Sequence, residues 1–162
     1  MDINHDEIED KALEVLEACG VNKPVVNAVE IAERNRISVK EIEMPGSYSD
    51  VAGFYNEAER TIYVAKDDKP TRQLFTVAHE LGHYFLQHKN YSVLLRITNE
   101  RAQYSNQESE ANSFAAHLLM PEFLIREYMD KYNFGRSNYK EMAEIFGVPI
   151  IAMKSRFEYL RS

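Results

Sequence analysis

An α+β fold is predicted for this chain of 162 residues. Two β-rich runs sit in its middle, joined by a short polar connector, and segments with helical periodicity lie on both sides of them. The last thirty or so residues read as helix, break and helix.

Each element follows from local pattern. Ile8, Ala12, Val15, Leu16 and Cys19 recur at helical spacing, and Gly20 supplies a stop. Pro24 suits a first helical position, so a second helix is expected there with Val25, Ala28, Val29 and Ala32 turned inward. Ile37-Ser38-Val39 opens a short strand, and Met44-Pro45-Gly46-Ser47 is a loop. Residues 51–55 and 61–65, linked by Asn56-Glu57-Ala58-Glu59-Arg60, predict an antiparallel hairpin. Leu74, Phe75, Ala78, Leu81, Gly82 and Phe85 mark an apolar helix reaching about Gln87. Residues 90–104 are ambiguous, with an apolar patch at Val93-Leu94-Leu95. A helix starting near Ser105 should carry Ala111, Phe114, Ala115, Leu118 and Leu119 inward. It should stop by Met120, because Pro121 disfavours helical geometry in the residue before it. Helices over 138–146 and 149–160 flank a break at Gly147-Val148-Pro149. The expected organisation is thus a domain over residues 1–132 and a helical appendage over 133–162 packed on it.

Composition narrows the function. The formal charge of −7 disfavours wholesale binding to nucleic acid, whose phosphates favour a strongly basic surface. The lone Cys19 has no partner for a disulfide and fits a small core residue. No apolar run is long enough to span a membrane, and the acidic, polar N-terminus is unlike a secretory signal. A cytoplasmic protein is the expectation.

The informative segment is Thr76-Val77-Ala78-His79-Glu80-Leu81-Gly82-His83-Tyr84. Two residues four apart on a helix are rotated by only about 40°, so the imidazoles of His79 and His83 can point at one ion. Glu80 lies within reach of a water bound to that ion. This is the H-E-x-x-H arrangement, two zinc ligands and a general base. A catalytic zinc site needs a third protein ligand and one open position. Glu108-Ser109-Glu110-Ala111-Asn112 offers it, with Glu108 and Asn112 on one helical face and Glu110 turned elsewhere. Glu108 is the favoured ligand, although Ser105 to Glu108 also spells a capping box, and Glu110 is the second choice. Asn112 could accept a hydrogen bond from a ligating His through its amide oxygen.

The chain resembles the ImmA/IrrE family of zinc metallopeptidases. The shared features are the run from Phe75 to His83, the run from Glu108 through Phe114 and Leu119 to Pro121, and the hairpin from Ala52 to Val64. The resemblance spans roughly residues 25–160. It implies a zincin-like core, in which a small antiparallel sheet lies beside the H-E-x-x-H helix. It also implies metal ligands His79, His83 and Glu108, catalytic Glu80, and a Zn2+ cofactor. The Glu-x-x-x-Asn spacing is similar to the Glu-x-x-x-Asp of thermolysin-like enzymes, which favours Glu108 over Glu110. His117 departs from the family, whose members often carry Glu there. A donor for the oxyanion is expected from Tyr84, Tyr104 or His117, with a structural role for His117 as its competing reading. An edge strand, 51–55 or 61–65, could align an extended substrate.

The segment from Tyr139 to Phe157 has a helix-turn-helix look, but five basic against three acidic residues from Asn133 onward are weak support for DNA contact. The implied function is an intracellular zinc endopeptidase of narrow specificity, cutting a regulatory protein such as a helix-turn-helix repressor of a phage or mobile element. The competing reading is a zinc-containing transcriptional regulator that binds DNA or a partner without proteolysis.

Overall fold

The computed structural model describes residues 4–46, 51–88 and 101–160, with the backbone alone at 101–105. The Val93-Leu94-Leu95 patch falls outside the described residues. Helix α1 (His5–Ala18) starts at Asn4, whose side chain accepts from Asp6 N while Glu7 reaches back to Asn4 N. It buries Ile8, Ala12, Val15 and Leu16. Helix α2 (Ala28–Arg34) begins later than Pro24 suggests, because the side chain of Asn27 accepts from Glu30 N at 3.1 Å and fixes the start there. Val25 therefore lies outside the helix and is 51% exposed, while Ala28, Ile31 and Ala32 face inward.

Strands β1 (Ser38–Ile42), β2 (Gly53–Asn56) and β3 (Thr61–Ala65) form a sheet in the order β1-β3-β2. The hairpin β2–β3 is antiparallel, with Phe54 opposite Tyr63 and their rings stacked at 5.0 Å. β1 pairs with the other side of β3 in parallel, from Ser38↔Thr61 to Ile42↔Ala65, so the sheet is mixed rather than antiparallel throughout. β3 is consequently the central strand. Residues 61–65 offer no edge to a peptide, and the hairpin's outer edge belongs to β2 alone.

Helix α3 (Pro70–Phe85) opens on Pro70 and buries every residue from Thr76 to His83. Helix α4 (Arg101–Leu119) starts before Ser105, so that serine lies within the helix and does not cap it. Pro121 precedes α5 (Glu122–Tyr132), a helix the sequence reading does not anticipate; Leu124 and Ile125 fix it to the core. A 3-10 turn (Arg136–Asn138) leads into α6 (Tyr139–Phe146). Gly147, at φ +67°, then redirects the chain into α7 (Ile150–Tyr159). That backbone conformation favours glycine because it has no Cβ.

The long α4 is the axis of the molecule and packs against both α1 and α3. Phe114, Ala115 and Leu118 meet Ile8, Leu16, Val77 and Leu81 in one core, and Met142, Phe146, Met153 and Phe157 from the tail join it. Arg156 ties α7 to α4 by donating from Nε to the Met120 carbonyl at 2.9 Å in a buried setting. No helix among the described residues is long and apolar enough to cross a membrane.

Candidate metal centre

Three side chains from two helices converge. His79 and His83 lie one turn apart on the buried face of α3, and Glu108 reaches them from the second turn of α4. Glu108 Oε2 is 3.1 Å from His79 Nε2, Glu108 Oε1 is 3.0 Å from His83 Nε2, and the two Nε2 atoms are 3.1 Å apart. Among the described residues this trio is the group of His, Cys, Asp or Glu able to hold a metal ion. Atoms bound to one tetrahedral zinc at about 2.0–2.1 Å lie roughly 3.3 Å from each other, so the observed triangle accepts such an ion after opening by a few tenths of an ångström.

Proton placement supports that fit. Asn112, one turn beyond Glu108, accepts at Oδ1 from His79 Nδ1 at 2.8 Å. A neutral His79 then carries a bare lone pair on Nε2, aimed at a second imidazole nitrogen and a carboxylate oxygen. Electron-rich atoms packed this closely repel unless a proton or a cation lies among them, and a divalent ion meets that need for all three at once. The amide of Asn112 thus backs the His79 imidazole on the side away from the trio.

Helix spacing makes the meeting possible. A Cβ on Gly82 would lie 3.0 Å from both the Cα and the carbonyl oxygen of Ala111, so α3 and α4 touch backbone to backbone between the imidazole pair and the carboxylate. Glu80, adjacent to His79, is fully buried.

Other candidates are placed differently. Glu110 does not join the trio; its Oε2 lies 2.7 Å from His88 Nε2, and His88 Nδ1 lies 2.8 Å from His83 Nδ1. His88 is not among the residues that pattern in the sequence picks out. The only trace of it there is a further histidine five residues after His83. Tyr84 packs its ring edge-on against Tyr55 of β2 and Phe85, at 6.2 and 5.1 Å. The side chain of Tyr104 is outside the described residues. His117 is not in the trio; its Nδ1 faces Arg156 Nη2 at 3.3 Å and its ring lies edge-on to His5 and Tyr159. Burial, with help from the Arg156 guanidinium and His5, pushes its pKa down to about 4. Its contacts lie between α1, α4 and α7. Beside Asn112 opens a cavity of about 1200 Å³, continuing the α3–α4 groove past Phe75 and Ala116 toward Arg156.

Comparison with known proteins gives the same direction. A peptidase family model described as the IrrE N-terminal-like domain matches residues 32–158. The metallopeptidase ImmA of Bacillus subtilis (strain 168) is 34% identical over 77 residues, covering 48% of this chain and 44% of that protein. An uncharacterized immunity region protein 2 of Bacillus phage phi105 is 29% identical over 85 residues, covering 50% and 52%. The chain spans about half the length of these curated relatives. A solved structure of a Mycobacterium tuberculosis transcriptional regulator shares the fold at a TM-score of 0.70 and 17% identity, covering 93% of this chain and 55% of that one.

Proposed function

Because this chain belongs to the ImmA/IrrE family of metallopeptidases, we propose that it is a zinc-dependent endopeptidase of narrow specificity that cuts one bond in a regulatory protein. The substrate class is a helix-turn-helix repressor, in keeping with the immunity region named for the phage relative, and the proposed site of action is the cytoplasm. The observation that carries the reading is the convergence of His79 Nε2, His83 Nε2 and the Glu108 carboxylate within hydrogen-bond distance of one another.

In this reading His79, His83 and Glu108 hold the ion. Zinc bound there supplies a Lewis acid and a water of lowered pKa. Glu80 takes a proton from the attacking water on its side-chain carboxylate and returns it to the leaving amine. Its complete burial keeps bulk water from competing for that proton. Asn112 keeps His79 in the tautomer that leaves Nε2 free to ligate. The β2 edge lies beside the end of α3, since Tyr55 meets Tyr84 next to His83, and an extended peptide could add there as a further strand. The cavity beside Asn112 provides room for substrate side chains.

The zinc-containing regulator without proteolysis is the second reading, favoured by the fold shared with a transcriptional regulator. One experiment separates the two. The full chain and its Glu80→Gln variant are loaded with zinc and incubated with purified helix-turn-helix repressors from the same genome. The peptidase reading expects a single cut by the wild type, and intact substrate with undiminished zinc content for Glu80→Gln. Cutting by Glu80→Gln at the wild-type rate overturns the role of Glu80. Salt-sensitive DNA binding with no cut by either protein selects the regulator.

A further inference from the structure

We propose that Glu110 and His88 form a hydrogen-bond relay that locks His83 in the tautomer whose Nε2 lone pair faces the metal position. Both are then positioning residues for this ligand, and the inference rests on the metal reading above. A carboxylate only accepts, so across the 2.7 Å contact with Glu110 Oε2 it is His88 Nε2 that carries the hydrogen. A neutral His88 then has a bare Nδ1. Across the 2.8 Å contact with His83, the hydrogen therefore sits on His83 Nδ1. That leaves His83 Nε2 bare, 3.0 Å from Glu108 Oε1. The opposite order would set a bare His88 Nε2 against the Glu110 carboxylate and turn an N–H of His83 on the metal position.

Burial makes the lock effective. The His88 side chain is 4% exposed and that of Glu110 12%, so water has little access to either partner. Geometry explains why an imidazole must intervene. At about 100° per residue Glu110 is rotated some 200° from Glu108 around α4, whereas Asn112 is rotated only about 40° from it. Asn112 therefore reaches its histidine directly and Glu110 does not. The end of α3 supplies the bridge. Gln87 adopts φ +54° and His88 N donates back to the His83 carbonyl at 3.1 Å, which folds the His88 ring under His83. The two metal-facing imidazoles are thus backed unequally, His79 by a neutral amide and His83 by an imidazole that carries the charge of a carboxylate behind it. Outer partners of this kind raise ligand basicity, and losing one weakens metal binding by about 10–100-fold.

The test has two parts, both on the full chain. Nitrogen-15 NMR of histidine-labelled, metal-free wild type reads the tautomers directly. The relay expects hydrogen on Nδ1 of His83 and on Nε2 of His88, and hydrogen on His88 Nδ1 overturns it. Because it needs no variant, this part stands even if substitution at His88 prevents folding. The second part is zinc competition against a chromogenic chelator, with thermal melting as the check on folding. His88→Leu should bind zinc about 10–100-fold more weakly than wild type, and Glu110→Gln should fall between them. A folded His88→Leu variant with wild-type zinc affinity overturns the relay. If the wild type binds no zinc, the metal reading fails while the tautomers still decide the relay.

Discussion

Replacing Gly82 by Ala probes the close approach of the two helices that carry His79, His83 and Glu108. The new methyl would meet the Cα and carbonyl oxygen of Ala111 at 3.0 Å and its Cβ at 3.3 Å. Carbon atoms in ordinary contact sit about 3.5–4.0 Å apart, so α3 and α4 must separate by roughly 0.5 Å or more. These neighbours are backbone and a Cβ, with no flexible side chain to swing aside. Overpacking of this sort costs about 1–3 kcal/mol, and the better helix propensity of alanine returns up to about 1 kcal/mol. The net expectation is a loss of up to about 2 kcal/mol, or a melting point lower by up to about 6 °C for a domain of this size. A displacement of this size carries the 3.0–3.1 Å contacts that Glu108 makes across the helix pair past the roughly 3.3 Å separation that suits zinc, so zinc affinity should fall. Circular dichroism melting and a zinc competition titration read both effects. A melting point equal to or above that of wild type, with unchanged zinc affinity, would refute the close approach and its role in spacing the ligands.

Two further perturbations address the surroundings of the site. Asn112→Ala removes the acceptor for His79 Nδ1 and should weaken zinc binding by about 10–100-fold, whereas Asn112→Asp, which still accepts there, should retain it; equal affinity for all three proteins in a chelator competition would count against the tautomer lock on His79. His117 titrates near 4 in the fold against an ordinary 6.5, so the unfolded chain binds its proton first and stability is lost as pH falls from about 6.5 toward 4. The slope is at most about 1.4 kcal/mol per pH unit, which amounts to about 1–2 kcal/mol by pH 5 after allowing for solvent screening. Urea unfolding of wild type and His117→Phe at pH 7.5 and pH 5 checks this, and identical pH dependence in the two proteins would show that His117 is not held neutral.

Much of the site is legible in the sequence because a helix converts spacing into direction. Four-residue steps put His79 beside His83 and Glu108 beside Asn112, and both pairs face the same point in the folded chain. Cap chemistry was legible only in part. Asn27 overrides Pro24 as the start of α2, and the early start of α4 at Arg101 leaves Ser105 inside the helix, which removes the capping-box reading of Glu108. The β2–β3 hairpin follows from its short connector, but the parallel partner β1 joins through a non-local pairing that alternation cannot show. Helix α5 hides behind Pro121, which reads as a stop although it also serves as a start. His88 escapes notice because it lies past the end of α3. Only the left-handed turn at Gln87 returns its ring to His83, and no periodicity reports that.

Cobalt titration of the metal-free full chain tests the proposed ligand set most directly, since four-coordinate cobalt absorbs visibly and stands in for zinc. One equivalent bound with that spectrum by wild type, and lost in both His79→Ala and Glu108→Ala while Glu80→Gln keeps it, is the predicted result. Absence of binding by the folded wild type, or an unchanged spectrum when Glu108 is removed, would contradict it.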